Sequence, residues 1–83
     1  MKYLVGTMCG GLMEDPEPRF DGPYLIVEAS DEETARKLYN KATNASYFYG
    51  DVMGHETNIG WIVTNPHVSQ YGLKYALNEA KIL

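Results

Sequence analysis

Residues 23–43, PYLIVEASDEETARKLYNKAT, decide the fold. Tyr24, Leu25, Ile26 and Val27 form a short aliphatic and aromatic run, bounded by Gly22-Pro23 on one side and polar residues on the other, as a strand inside a sheet would be. The period then changes. Ser30 followed three residues later by Glu33 reads as a capping box, and Asp31, Glu32 and Glu33 place negative charge beside the unpaired N–H groups of a first helical turn. Ala35, Leu38, Tyr39 and Ala42 then recur at the spacing of one helical stripe. A strand runs directly into a capped amphipathic helix, which Thr43 and Asn44 end, because asparagine tolerates the left-handed conformation of a helix C-terminus.

Upstream, residues 1–8 read as a first strand, apolar on both faces and therefore central, broken by Cys9, Gly10 and Gly11. Residues 12–22, LMEDPEPRFDG, carry two prolines and no period, and read as a long polar connection, a place for function rather than core. Downstream, residues 46–53, SYFYGDVM, alternate as a third strand. Gly54, His55, Glu56 and Thr57 supply a turn, and residues 58–64, NIGWIVT, form a fourth strand with Ile59, Trp61 and Val63 on one face. Asn65-Pro66 reads as a helix start, with Val68, Gly72, Leu73, Ala76, Leu77 and Ala80 on one side; glycine at 72 weakens that helix unless it begins later or a neighbour packs closely. The fold expected is α+β: a four-stranded, mainly antiparallel sheet in the order ββαββα, with both helices on one face. The other face would bear tyrosines and Met53, as a binding surface or a homodimer contact.

Eighty-three residues make one domain with one modest core, hiding about 60 to 65 per cent of its unfolded surface. The single cysteine excludes an internal disulfide. No run approaches a signal peptide or a membrane span, so a cytoplasmic protein with no membrane partner is expected. The net charge of −4 is unevenly spread: Glu14, Asp15, Glu17, Asp21, Glu28, Asp31, Glu32 and Glu33 stand against Arg19 alone, whereas the remaining chain has three acids and six bases. Direct binding to nucleic acid, which needs clustered Lys and Arg, is disfavoured.

Four chemistries are compatible with the residue types. Cys9 could act as a nucleophile with His55 or His67 as base, but no family signature surrounds it, and a lone cysteine ending a strand is more often a small buried hydrophobe. Asp51, His55, Glu56 and His67 are metal-binding types without the spacing of a zinc helix, so no metal or cofactor is expected. A small ligand could stack on Tyr47, Tyr49 or Trp61, in a sequestering or sensing homo-oligomer. The acidic stretch is the fourth. Carboxylates along a loop and a helix start can imitate the phosphates of nucleic acid and steer a basic groove onto the protein, although the same charges also serve simply to solvate the loop and complement the helix dipole.

The acidic, tyrosine-rich chain, with YLIVEASDEETARKLYNK feeding YFYGDVMG, resembles in size, composition and style the small α/β proteins encoded by phages and mobile elements, anti-CRISPR proteins and other anti-defence inhibitors among them. That resemblance implies a stoichiometric, non-enzymatic inhibitor acting in the host cell on a nuclease or its nucleic-acid groove. The charge argument names Glu14, Asp15, Glu17, Asp21, Glu32 and Glu33 as contacts with a basic partner. Phe20 is their apolar anchor, because a contact centre needs more than charge.

Overall fold

The structure is a computed structural model that describes residues 1–9, 19–44 and 50–83. Its elements are β1 (Lys2–Cys9), β2 (Arg19–Glu28), α1 (Glu32–Thr43), β3 (Gly50–Thr57), β4 (Gly60–Val63), α2 (Gln70–Glu79) and a short β5 (Lys81–Ile82). Among the described residues the order is ββαββαβ, which departs from the expected ββαββα by a short strand after the second helix. The sheet has five strands rather than four, in the order β4-β3-β1-β2-β5. The first four strands pair antiparallel, whereas β5 joins β2 in parallel, so the sheet is mixed.

β1 lies in the middle, and both of its faces are buried: Tyr3 is 5 % exposed, Leu4 and Val5 0 %. A strand apolar on both sides needs cover on both sides. The two helices accordingly pack on opposite faces, which corrects the one-faced arrangement expected from the sequence. Tyr3, Val5, Val27 and Val52 meet Ala35 and Tyr39 of α1, while Leu4 and Met53 meet Leu73 and Ala76 of α2. The face expected to stay open, with Met53 on it, is the one α2 covers; Met53 is 2 % exposed.

Several boundaries move, each for a local reason. The cap of α1 is Asp31, not Ser30: its extended backbone lets Oδ1 accept the Thr34 N–H at 2.7 Å. Glu33 is then inside the first turn, where it pairs with Lys37 at 3.3 Å instead of closing a capping box. Ala35 and Tyr39 are buried but Leu38 and Ala42 lie at the exposed rim, since the hydrogen-bonded ring of Tyr39 sets how far α1 is rotated about its axis. Asn44 ends the helix at φ 53°, its N–H returning to the carbonyls of Asn40 and Lys41.

β1 runs through Cys9, and β2 begins at Arg19, inside what reads as the polar connection. β3 continues to Thr57, so Gly54, His55, Glu56 and Thr57 are strand, not turn. Gly54 is there because of close approach: a Cβ would strike the carbonyl of Ile62 on β4. The turn is Asn58-Ile59, closed by Gly60 at φ +133° and by the Thr57 hydroxyl donating to the Gly60 carbonyl at 2.6 Å. Ile59 sits at its tip, 96 % exposed, rather than on a face with Trp61 and Val63. The start expected for the third strand, residues 46–49, lies outside the described residues.

Asn65 does not cap a helix. It is buried at 9 % exposure, where its Nδ2 donates to Asp51 Oδ2 (3.2 Å) and the Val52 carbonyl (3.1 Å), and its Oδ1 accepts the His67 N–H at 2.9 Å. With that side chain committed to β3, α2 starts later, at Gln70, and Ser69 caps it by accepting the Gly72 N–H at 2.9 Å.

Candidate functional site

A break in the pairing of β1 and β2 builds the site. Val5 pairs with Leu25 and Thr7 with Asp21, so Gly6 faces three residues of β2: Gly22, Pro23 and Tyr24. A bulge is where proline is tolerated in a strand, because its missing N–H is not required by the ladder. Gly6 leaves room for the side chain the bulge aims inward: a Cβ at position 6 would lie 3.1 Å from both the Tyr24 ring and Met53 Sδ. The Tyr24 hydroxyl donates to the Phe20 carbonyl at 3.2 Å.

Across the gap stands α2. With Leu73 and Ala76 turned into the core, Tyr71 and Tyr75 project from its open side, four residues apart and 81 % and 53 % exposed. Tyr75 meets Tyr24 edge to face, with centroids 6.3 Å apart and planes at 90°. Burial raises the pKa of the Tyr24 hydroxyl, followed by the negative charge of Asp21 and smaller contributions from Tyr75, Tyr39 and Glu79.

Two clefts flank this tyrosine pair. One, of about 400 Å³, is lined by Arg19, Phe20, Met53, His67, Ser69 and Tyr71 among others, at the start of α2. The other, of about 450 Å³, lies towards the end of α2, with Asp21, Pro23, Tyr24, Tyr75, Glu79 and Lys81 in its lining. Phe20 and Asp21, two of the contacts named from the sequence, therefore belong to one aromatic surface.

The remaining named residues are distributed differently. Glu14, Asp15, Glu17, Tyr47 and Tyr49 lie outside the described residues. Glu32 and Glu33 sit past the far end of β2, roughly 20 Å from Asp21 along that strand. They pair with Arg36 (3.8 Å) and Lys37 (3.3 Å) of their own helix, and Glu28 meets the N-terminal ammonium at 3.3 Å. Such exposed pairs contribute little stability, but they soften the outward field of the carboxylates. Asp21 itself is 3.9 Å from Arg19. Trp61 is half-buried against the core beneath α2 and so serves packing.

The enzyme-like sets are not assembled. Tyr3 pairs with His55, six residues along β1 from Cys9, or about 20 Å. Cys9 shares with Thr7 the α1 side of the sheet, near Tyr39, whereas His67 lines a cleft on the α2 side. Asp51 is held by Arg36 (3.6 Å) and Asn65, and stands four strand residues, about 13 Å, from His55. Among the described residues no three of His, Cys, Asp and Glu converge as a metal site, and no helix is long and apolar enough to cross a membrane.

No family model, curated protein or solved structure matches this chain. Of the main members of the aromatic surface, Tyr24, Tyr71 and Tyr75, the sequence sets Tyr24 in a strand interleaved with the acids and marks neither of the other two as a site residue. A signal for two of them was present: Tyr71 and Tyr75 fall off the Leu73 and Ala76 stripe, so the helix carries bulky aromatics on the side that should be polar.

Proposed function

We propose that this protein is a non-catalytic binding protein, a stoichiometric inhibitor of the phage anti-defence type that docks on a basic, nucleic-acid-handling host protein. The observation that carries the reading is the exposed pair Tyr71 and Tyr75 beside Phe20 and Tyr24. Tyrosines provide large contact areas at low cost in rotamer entropy, and they dominate the centres of protein interfaces.

The charge pattern supports the choice of partner. Residues 14, 15 and 17 are joined in sequence to Cys9 and Arg19, which pair at the same end of the sheet as Phe20 and Asp21. In this reading Phe20 and the tyrosines form the contact centre, and the negative charge of Asp21 and of Glu14, Asp15 and Glu17, near it in sequence, speeds encounter with positive charge. Glu32 and Glu33, already facing their own helix's cations, add only to the long-range field.

The test is affinity capture from a bacterial lysate at low and high salt, comparing the natural chain with a Glu14→Lys, Asp15→Lys, Glu17→Lys variant and with Tyr71→Ala. A nucleic-acid-handling protein should be retained at low salt, weakened at high salt, and lost in both variants. Undiminished capture by the triple variant, or capture indifferent to salt, would remove the proposal.

A further inference from the structure

We infer that the cleft between the start of β2 and the C-terminal end of α2 receives a single arginine guanidinium from the partner, stacked on one ring of the Tyr24 and Tyr75 pair against the edge of the other and facing Asp21 and Glu79. This inference rests on the proposed function and specifies the contact that the partner would make.

The two clefts beside the tyrosine pair have similar volumes and share Asp21, Tyr24 and Tyr75, but differ in the other charges of their linings. In the one at the start of α2, Asp21 stands 3.9 Å from Arg19 and the cleft faces the positive end of the helix, so its lining offers a cation no excess of negative charge. The one at the end of α2 adds the Glu79 carboxylate and the Lys81 ammonium to the shared Asp21, which Arg19 offsets only at 3.9 Å and from an exposed position, and it faces the helix's carbonyl end.

The placement of Glu79 runs against the usual preference. α1 follows that preference, with Glu32 and Glu33 in its first turn and Lys41 in its last. α2 has no acid in its first turn, no base in its last, and Glu79 at its final residue. Negative charge at a helix C-terminus is unfavourable, and among the described residues no ion pair offsets Glu79. A cation arriving from outside would relieve this. Both carboxylates also help hold the Tyr24 hydroxyl above its ordinary pKa, after burial, which is the effect expected of a negative potential in the cleft.

The walls select the form of the cation. Tyr24 and Tyr75 stand at 90°, so a planar group can stack on one ring while it meets the edge of the other. Guanidinium is flat, weakly hydrated and able to donate to carboxylates while stacked, whereas ammonium is compact and strongly hydrated.

The experiment titrates the full chain with N-acetyl-arginine methylamide at constant ionic strength, following backbone and side-chain NMR shifts. N-acetyl-lysine methylamide and neutral N-acetyl-norleucine methylamide are run beside it. Saturable shifts should appear at Tyr24, Tyr75, Glu79 and Lys81 but not at His67 or Ser69, with arginine ahead of lysine and norleucine without effect. Asp21, Glu79 and Lys81 are all exposed, so their variants keep the fold. Asp21→Asn and Glu79→Gln should each weaken binding about two- to fivefold, and Lys81→Gln should strengthen it by a similar factor.

Weaker binding in Lys81→Gln, equal binding of norleucine, lysine ahead of arginine, or no shift in the cleft would each overturn the inference. Partner capture that depends on Glu14, Asp15 and Glu17 while the arginine probe fails would sink only this inference. Probe binding with capture indifferent to those acids would instead sink the proposed function.

Discussion

Tyr39→Phe removes one oxygen from the interior and should cost about 2 kcal/mol. Tyr39 is fully buried under α1, and its hydroxyl donates to the Pro23 carbonyl at 2.6 Å while the Thr7 hydroxyl sits 2.7 Å away and donates to it in turn. The phenol thus ties α1 to β1 and to the β2 bulge that aims Tyr24 into the aromatic surface. Phenylalanine would keep the ring but leave the Pro23 carbonyl and the Thr7 hydroxyl without their partner. At about 1 kcal/mol for each lost hydrogen bond, more where a buried group stays unsatisfied, the sum is about 2 kcal/mol. In a domain of this size that lowers the melting temperature by roughly 8 to 16 °C, measured by circular dichroism at neutral pH. Thr7→Val should cost about half as much, because Tyr39 keeps its donor bond, and the double variant should cost less than the two singles added. The pH dependence follows in sign. Burial, the largest cause, raises the Tyr39 pKa above its ordinary 10.0, offset in part by the Thr7 hydrogen bond. The folded state therefore holds this proton more tightly than the unfolded chain. Its contribution is complete below about pH 10 and is lost as pH rises through the folded value. Tyr39→Phe should flatten this alkaline loss, leaving the share of Tyr24, whose pKa is also raised. A melting-temperature change under about 2 °C in Tyr39→Phe, or a larger loss in Thr7→Val, would refute the reasoning.

Gly50→Ala should cost about 1 to 3 kcal/mol by urea unfolding, since its Cβ would fall 2.7 Å from Cε1 and 2.9 Å from Cγ of a Tyr39 ring that its hydrogen bonds hold in place. Adding Tyr39→Phe should recover part of that loss, because the ring is then free to shift. Asp31→Asn should keep the cap of α1 but lose its acid sensitivity. The Thr34 backbone N–H, with the Thr34 side chain next, lowers the Asp31 pKa below 3.8, so its contribution is present above that pH and fades as pH falls through the folded value. Helix content followed by circular dichroism down an acid titration should show that step in the natural chain and not in the variant.

The sequence alone determined the element order through α2, the central place of β1 and the Asn44 stop, because these depend on local period, apolar run length and backbone preference. Local chemistry was ambiguous wherever one residue type serves two purposes. Gly54 reads as a turn and is a close strand contact; Asn65 reads as a cap and is a buried partner of Asp51 and Val52; Ser30 and Asp31 are both good caps, one residue apart. β5 is only two residues long and owes its pairing to β2 lying alongside, so nothing in its own composition announces it. Only the tertiary structure decided that the helices cover opposite faces, that Asp21 and Glu33 part to different ends of the sheet, and that Phe20, Tyr24, Tyr71 and Tyr75 come together. The reason is that a contiguous charge run is a property of the chain, whereas a surface depends on which strands pair and which face each helix must cover to keep apolar side chains from water.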